Sequence, residues 1–468
     1  MSSRLKPAHR TGDAMTSTEW RASLSLAGIY MLRMMGLFLI LPVFSLYARQ
    51  LPDATPFLIG LAISMYGLTQ AVCQIPFGLW SDRVGRKSVI TIGLILFAAG
   101  SAVAAVSDSI YGIIAGRAIQ GAGAIAAVVM ALAADLTREE HRTKAMALIG
   151  VSIGISFALS MVAGPVLSGW VGMGGLFWLI GGLALLSLVV LHVFVPTPVV
   201  SRFHRDAQAN PAQFGVVFAD RELLRLDFGI LALHLILMAL FVVTPVVLRD
   251  ALHMESASHW QVYLPVFVGS IFTMVPLVIV AEKHRRMKPV FLAAIALLAI
   301  AAAGLALLPP ETVAVVGCLY LFFTGFNLLE ATLPSLVSKI APAHLKGTAM
   351  GVYSTSQFLG AFFGGTGGGW IYGRFGIEYV YLACAAVALS WLLVAAFMRP
   401  PRHLRSRLVH LGDISPERAA AGSAKLGAIA GVAEAVVVAE DGVAYLKVDG
   451  DKLDEDALQA AVVELSKI

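Results

Sequence analysis

The chain has 468 residues, of which 58% are hydrophobic and 13% charged, and its mean hydropathy is +0.81. A soluble globule carries roughly 25% charged residues, so this composition excludes a soluble protein of this size. The formal charge of +5 sits in loops beside apolar runs, which fits membrane orientation and not nucleic-acid binding; Cys73, Cys318 and Cys384 lie inside apolar runs without metal-type spacing, so neither disulfide nor zinc chemistry is expected.

Residues 1–21 form a polar, basic N-terminal segment with Arg4, Lys6, Arg10 and Arg21. The apolar run after it is too long for a signal-peptide core and ends on no small-residue cleavage site, so it is read as a retained span. Twelve spans are expected, at 22–48, 56–80, 88–107, 110–135, 145–170, 174–196, 224–249, 259–281, 288–308, 312–339, 347–373 and 377–398. Each is long enough for the ~30 Å hydrocarbon core, which takes about 20 apolar residues in a helix. The polar stretch 197–223 separates a six-helix half at 22–196 from a second at 224–398. Hydropathy falls after Met398: 399–408 reads as a basic, proline-containing linker, and 409–468 as a small water-facing domain. Its pattern is a strand near 408–413, a helix near 416–429, strands near 432–439 and 442–448 around a Glu440-Asp441-Gly442 hairpin turn, and a helix near 454–466. That βαββα order predicts an α+β, ferredoxin-like half-sandwich.

Every second loop is rich in Lys and Arg: Arg83, Arg86 and Lys87; Arg138, Arg142 and Lys144; Arg202 and Arg205; Lys283, Arg285, Arg286 and Lys288; Lys339 and Lys346. Positive loops stay cytoplasmic, so both termini are expected inside. Ile75-Pro76…Asp82-Arg83…Arg86 recurs 200 residues later as Val275-Pro276…Glu282-Lys283…Arg286, and Arg142-Thr-Lys-Ala-Met146 is echoed by Lys346-Gly-Thr-Ala-Met350. Duplicated halves are a construction principle of secondary transporters.

Gly78-Leu-Trp-Ser-Asp82-Arg83-Val-Gly85-Arg86-Lys87 resembles the loop signature of the major facilitator superfamily between its second and third helices. In local terms Gly78 permits close helix approach, Gly85 a tight turn, and Arg86 bidentate capture of a carboxylate. The resemblance implies a two-half, all-α membrane fold whose loop locks the halves together in the outward-facing state, with Asp135 as the acidic partner of Arg86. Arg117-Ala-Ile-Gln120-Gly121-Ala-Gly123-Ala124 is similar to the superfamily's arginine-containing fourth-helix motif, implying a proton-relay or cavity-electrostatic role for Arg117; a structural, snorkelling arginine is the alternative. Span five, with Gly154 and Gly164-Pro165 but Ser160 and Ser168 where glycine is usual, matches the antiporter-associated motif in part; a helix softened for close packing is the other reading.

Ionisable groups at membrane depth are expensive and default to functional candidates. Arg33, Arg117, His234 and Glu330, the last beside Asn327, fall one on each of spans one, four, seven and ten, the spans that the resemblance expects around a central cavity. Glu330 and His234 are the expected protonation-linked pair. Arg33 with Pro42-Val-Phe44, Asn327-Leu-Leu-Glu330, and the tail stretch Ala444-Tyr445-Leu-Lys447-Val448-Asp449 together resemble the YajR group, bacterial inner-membrane facilitators with a cytoplasmic C-terminal domain called YAM. The tail lacks the Cys-x-x-Cys of metal-chaperone domains, so no copper site is expected. The βαββα order lacks a fourth strand, so self-association or regulation through an open sheet edge is one expectation and a folding cap or spacer the other.

The resemblance implies a non-enzymatic secondary transporter of a bacterial inner membrane. Export of small amphiphilic compounds by proton antiport is expected, with no cofactor, the proton gradient as energy source, and substrate, protons and lipid as partners. No phosphate-binding Gly-x-x-x-x-Gly-Lys loop occurs, which speaks against an ATPase. A facilitator or proton-symport importer, and a membrane sensor acting through the tail domain, are the alternatives.

Overall fold

Span one starts at a capping box: Thr16 accepts from the Glu19 backbone while the Glu19 carboxylate accepts from the Thr16 backbone, settling two of the donors a helix N-terminus leaves free. The computed structural model describes residues 14–198, 208–400, 404–412, 414–440, 442–450 and 452–466. Arg4, Lys6, Arg10, Arg202, Arg205 and Asp441 lie outside them.

Among the described residues, nine helical segments are long and apolar enough to cross a membrane. One of them, Lys144–Val193, folds back at Gly172, whose φ of 67° reverses the chain, and supplies spans five and six. Ser17–Phe38 and Lys346–Phe375 are of spanning length with more polar or glycine-rich sequences, and they complete a bundle of twelve. The other spans run over Pro56–Val84, Arg86–Ala105, Arg221–Val246, Trp260–Lys283, Met287–Leu307, Thr312–Ile340 and Ile377–Ala396.

Several spans break where the sequence loses helix-forming capacity. Span one stops at Phe38, turns through Pro42 and resumes as Phe44–Ala48, since proline removes a helix donor. Span four is two helices, Ile110–Ala122 and Ala126–Leu136, interrupted around Gly123. The interruption frees backbone carbonyls at membrane depth, which must find donors inside the protein.

Among the described residues, the basic loops around Arg86, Arg138, Lys283 and Lys346 lie at one end of the bundle, here called the basic end. At the opposite end Arg49 pairs with Asp250 across the two halves at 2.7 Å. Between the ends, Phe157 of span five inserts among Phe241, Phe267 and Phe326 of the second half, with ring centroids 5.2–6.4 Å apart. Spans two and eleven also join the halves: Ser64 and Thr366 hydroxyls lie 2.9 Å apart, and Gln74 donates to Thr355 at 2.7 Å.

The tail forms β1 (Arg405–His410), a helix Pro416–Gly427, β2 (Val432–Val438), β3 (Val443–Val448) and a helix Glu455–Ser466. The sheet is antiparallel in the order β1-β3-β2. β1 starts at Arg405, inside the stretch read as linker. Its arginines mask its strand character: Arg407 points to Glu455 at 2.7 Å, so the edge strand carries charge by design of its neighbours. Ala444, Leu446 and Val448 of β3 face the domain's own core with Leu426 and Leu458. Val443, Tyr445 and Lys447 lie on the other face and are also buried, because β3 lies against the Ala343–Leu345 turn between spans ten and eleven.

Candidate functional site

The four membrane-depth groups do not converge on one centre; the structure separates them into two pairs. In the first half, Arg33 and Arg117 flank Tyr66, with their guanidinium carbons 5.8 and 5.1 Å from its ring centre. Arg33 donates to Gln70 and to the Gly123 carbonyl at 3.1 Å, the carbonyl released by the break in span four. Arg117 donates to Gln120 at 2.8 Å and to the Ile63 carbonyl at 3.2 Å, and Gln120 continues to Ser101 at 2.7 Å. Both arginines are fully buried, so Arg117 does not snorkel; it is held by amide and carbonyl oxygens and by an aromatic face.

In the second half, Glu330 Oε1 lies 3.0 Å from His234 Nε2. Gln357 of span eleven meets the same nitrogen at 2.9 Å, and His234 Nδ1 faces the Ile230 carbonyl at 3.3 Å. A carbonyl oxygen only accepts, so Nδ1 is the donor there; the Gln357 amide nitrogen, which only donates, then fills the Nε2 lone pair, with Glu330 Oε1 beside it. Asn327, one turn away, faces elsewhere and donates to Ser270 of span eight at 2.9 Å. Phe322, Phe323 and Phe326 precede Glu330 on span ten, and Phe241 follows His234 on span seven, so the aromatic layer lies between this pair and the opposite end. On the basic side of that layer the Glu330 side chain is 30% exposed.

At the basic end Arg86 is the hub. It pairs with Asp82 one turn earlier and with Asp135 of span four at 3.3 Å, and it donates to Ser81 at 2.6 Å. Gly85 has a φ of 100°, which lets span three start directly after span two. Gly78 has room for a Cβ at 3.7 Å from Ala127, so close approach does not account for glycine there. Lys87 donates to the Val195 carbonyl at 2.6 Å; Arg83 is exposed. Gln208 of the inter-half segment reaches Asp82 at 3.5 Å. In the repeated loop the charges are arranged differently: Glu282 pairs with Lys339 of span ten at 2.7 Å and accepts from Ser335 at 3.2 Å, while Lys283 and Arg286 point outward. On span five, Gly164 is required by packing, since a Cβ there would lie 2.3 Å from the Leu39 carbonyl. Pro165 beside it is buried, and Gly154 faces open space.

Sequence reasoning missed the groups that complete these sites. Tyr66, Gln357 and Ser101 look ordinary inside apolar runs, and only their contacts mark them. Asp227 was legible in principle: it is an acid three residues inside the stretch 224–249, and it is buried.

The model of the Major Facilitator Superfamily matches residues 26–365. The chain is 46% identical over 451 residues, covering 96% of it and 98% of the relative, to the inner membrane transport protein YajR of Escherichia coli strain K12. It is 26% identical, over 79% of the chain and 94% of the relative, to the multidrug resistance protein MdtH of Aeromonas hydrophila. In fold it superposes with a TM-score of 0.69, at 12% identity over 82% of this chain and 98% of the other, on a bacterial homologue of the human lysosomal transporter Spinster, solved inward-facing and occupied. With two six-helix halves and these matches in hand, the chain belongs to the Major Facilitator Superfamily and is a membrane transporter, not an enzyme.

Proposed function

We propose that this protein is a proton-coupled exporter of small amphiphilic compounds in a bacterial inner membrane, with both termini cytoplasmic. The observation that carries the reading is the Glu330–His234 contact at 3.0 Å between spans seven and ten. A proton on the pair makes the contact attractive. Without it, a carboxylate faces the Nε2 lone pair, and the two groups repel. Proton binding and release therefore change the contact between two spans of the second half. The basic loops support a cytoplasmic basic end, which makes the exposed edge of Glu330 reachable from the cytoplasm in this conformation. Arg49–Asp250 and the Phe157 aromatic layer close the opposite end.

Rocking of the halves opens that end when Arg49–Asp250 and the aromatic layer part, and the pair then exchanges its proton with the other side. The Asp82–Arg86–Asp135 cluster reads as the latch of the basic end. Arg33 and Arg117 set a positive field in the first half. Similarity to a multidrug resistance protein supports export and amphiphilic substrates. Similarity to an inner membrane transport protein supports the location and extends to the tail, which we read as a YAM-type domain.

The test uses proteoliposomes with an imposed pH gradient and ethidium as the amphiphilic probe. The wild type should move ethidium against its gradient at the expense of the proton gradient, and Glu330→Gln should lose that dependence. Unchanged proton dependence in Glu330→Gln overturns the coupling assignment.

A further inference from the structure

The inter-half segment ends in a stretch, 208–213, whose contacts the site above does not use. Its place is set by spans two and eleven, which run antiparallel in steady register. A Cβ on Gly60 would lie 2.1 Å from the Gly365 carbonyl, and one on Gly67 would lie 2.8 Å from the Phe358 carbonyl. Nearer the basic end, Gln74 donates to Thr355 at 2.7 Å. Each step forward on span two matches a step back on span eleven. Gly78 therefore stands opposite Gly351, and Asp82 opposite Thr348, one and two turns beyond the Gln74–Thr355 contact.

The two spans do not touch there. Among the described residues, a Cβ on Gly78 would meet Ala127 alone, at 3.7 Å, and that residue belongs to span four. A Cβ on Gly351 would meet Ala209 of the inter-half segment, at 2.8 Å. The neighbours of Ala209 fill the same gap. Gln208 reaches Asp82 at 3.5 Å. The Asn210 backbone N–H donates to Thr348 Oγ1 at 3.1 Å, and that hydroxyl donates to Gln213 Oε1 at 3.0 Å. Gln208 and Thr348 are both buried.

The stretch is shaped to stay in this seat. The Asn210 side chain accepts from the Ala212 backbone and caps the short turn Pro211–Gln213. The helix after it, Phe214–Ala219, packs on spans seven and eleven. Most of the contacts are thus made to the second half. The one to the first half, Gln208 to Asp82, is the longest. The segment sits on span eleven and stands in the way of span two.

We propose that residues 208–213 are a wedge that holds the basic end open. With Ala209 seated on Gly351, the end of span two cannot reach span eleven. The wedge leaves that seat before the basic end closes, and its hold on Thr348 and Asp82 sets how readily it leaves. This rests on the rocking of the halves proposed above.

Spin labels on Lys144→Cys and Lys283→Cys test it, in a chain with Cys73, Cys318 and Cys384 replaced by alanine and held in lipid nanodiscs. Both labelled positions are exposed at the basic end, one in each half, so their separation by electron double resonance reports its width. This labelled background should show an open and a closed population. Thr348→Val strips the wedge of both hydroxyl contacts and should raise the closed-to-open ratio about fivefold or more. A disulfide between Ala209→Cys and Gly351→Cys should abolish the closed population, and reduction should restore it. A closed population that survives the disulfide overturns the wedge, and so does an unchanged or lower ratio in Thr348→Val. Failure of the rocking reads out separately, as a background with one population at every pH, and the wedge falls with it.

Discussion

Lys447 Nζ lies 2.8 Å from the carbonyl of Lys339. It also lies 3.0 Å from the Ile340 carbonyl, so the tail domain supplies the cation that closes the last turn of span ten. A helix C-terminus leaves four carbonyls without donors and carries partial negative charge. The same span carries Glu330, ten residues earlier.

Lys447→Met should therefore loosen both partners. A charge-assisted hydrogen-bond donor at such a site is worth about 2 kcal/mol, which corresponds to faster hydrogen exchange at 335–341 and in β3 by more than tenfold. Exchange confined to the tail, with 335–341 unchanged, would show that the contact does not steady span ten.

Arg86 and its two acids differ in burial, and that difference orders their effects. The Arg86 and Asp135 side chains are 1% and 0% exposed, against 30% for Asp82. Removing one member of a buried pair costs about 3–5 kcal/mol, because the other charge is left without a partner. Arg86→Ala and Asp135→Ala should each lower thermal stability by that order, while Asp82→Asn costs about 1 kcal/mol or less. Asp82→Asn should instead raise cysteine labelling in the cavity reached from the basic end. Equal melting losses for all three variants would contradict this ordering.

Gly60 and Gly365 meet where spans two and eleven join the halves: a Cβ on Gly60 would lie 2.1 Å from the Gly365 carbonyl. Backbone cannot yield there, so Gly60→Ala must separate the spans near the opposite end. A cysteine placed by Ala48→Cys, buried at the opposite end where the Phe44–Ala48 helix meets span seven, should become more reactive in that background. Gly364→Ala, whose clash with Leu235 lies within one half, should cost about 1–3 kcal/mol in melting without exposing position 48. Unaltered labelling in Gly60→Ala would contradict a separation of the spans at that end.

Glu19, in the first helical turn ahead of the apolar stretch, accepts from Arg138 at 3.0 Å, and chiefly through that partner its carboxyl is held down at about 2. A depressed carboxyl stabilises the fold above its ordinary value of 4.5, and the contribution fades as pH falls from there towards about 2. In Arg138→Ala the carboxyl returns towards its ordinary range. Hydrogen exchange of the first turn, 17–20, should then accelerate near pH 4 in the variant and stay slow in the wild type. Matching profiles would remove Arg138 as the cause.

Much of the fold was legible because a bilayer imposes simple rules. A span must be apolar and about 20 residues long, and loop charge alternates with topology, so twelve spans and two related halves could be read from the chain. The breaks at Pro42, Gly123 and Gly172 were less legible, since each depends on what covers the released backbone groups. β1 was displaced by three residues because Arg405 and Arg407 resemble a linker until Glu455 is seen beside Arg407.

By itself the sequence determined which residues are chemically unusual: a charge at membrane depth is conspicuous against apolar neighbours wherever it ends up. Tertiary structure decided which of them meet. Arg33, Arg117, His234 and Glu330 sit on four spans that one could place around a single cavity, yet the first two share Tyr66 and the last two meet each other at 3.0 Å. Side-chain direction on a helix changes by about 100° per residue, and helix rotation is set by contacts such as Gly360 on Leu231 and Gly164 on Leu39, dozens of residues apart in the chain. A local pattern carries no record of those contacts, so the pairing of Glu330 with His234 exists only in the packed bundle.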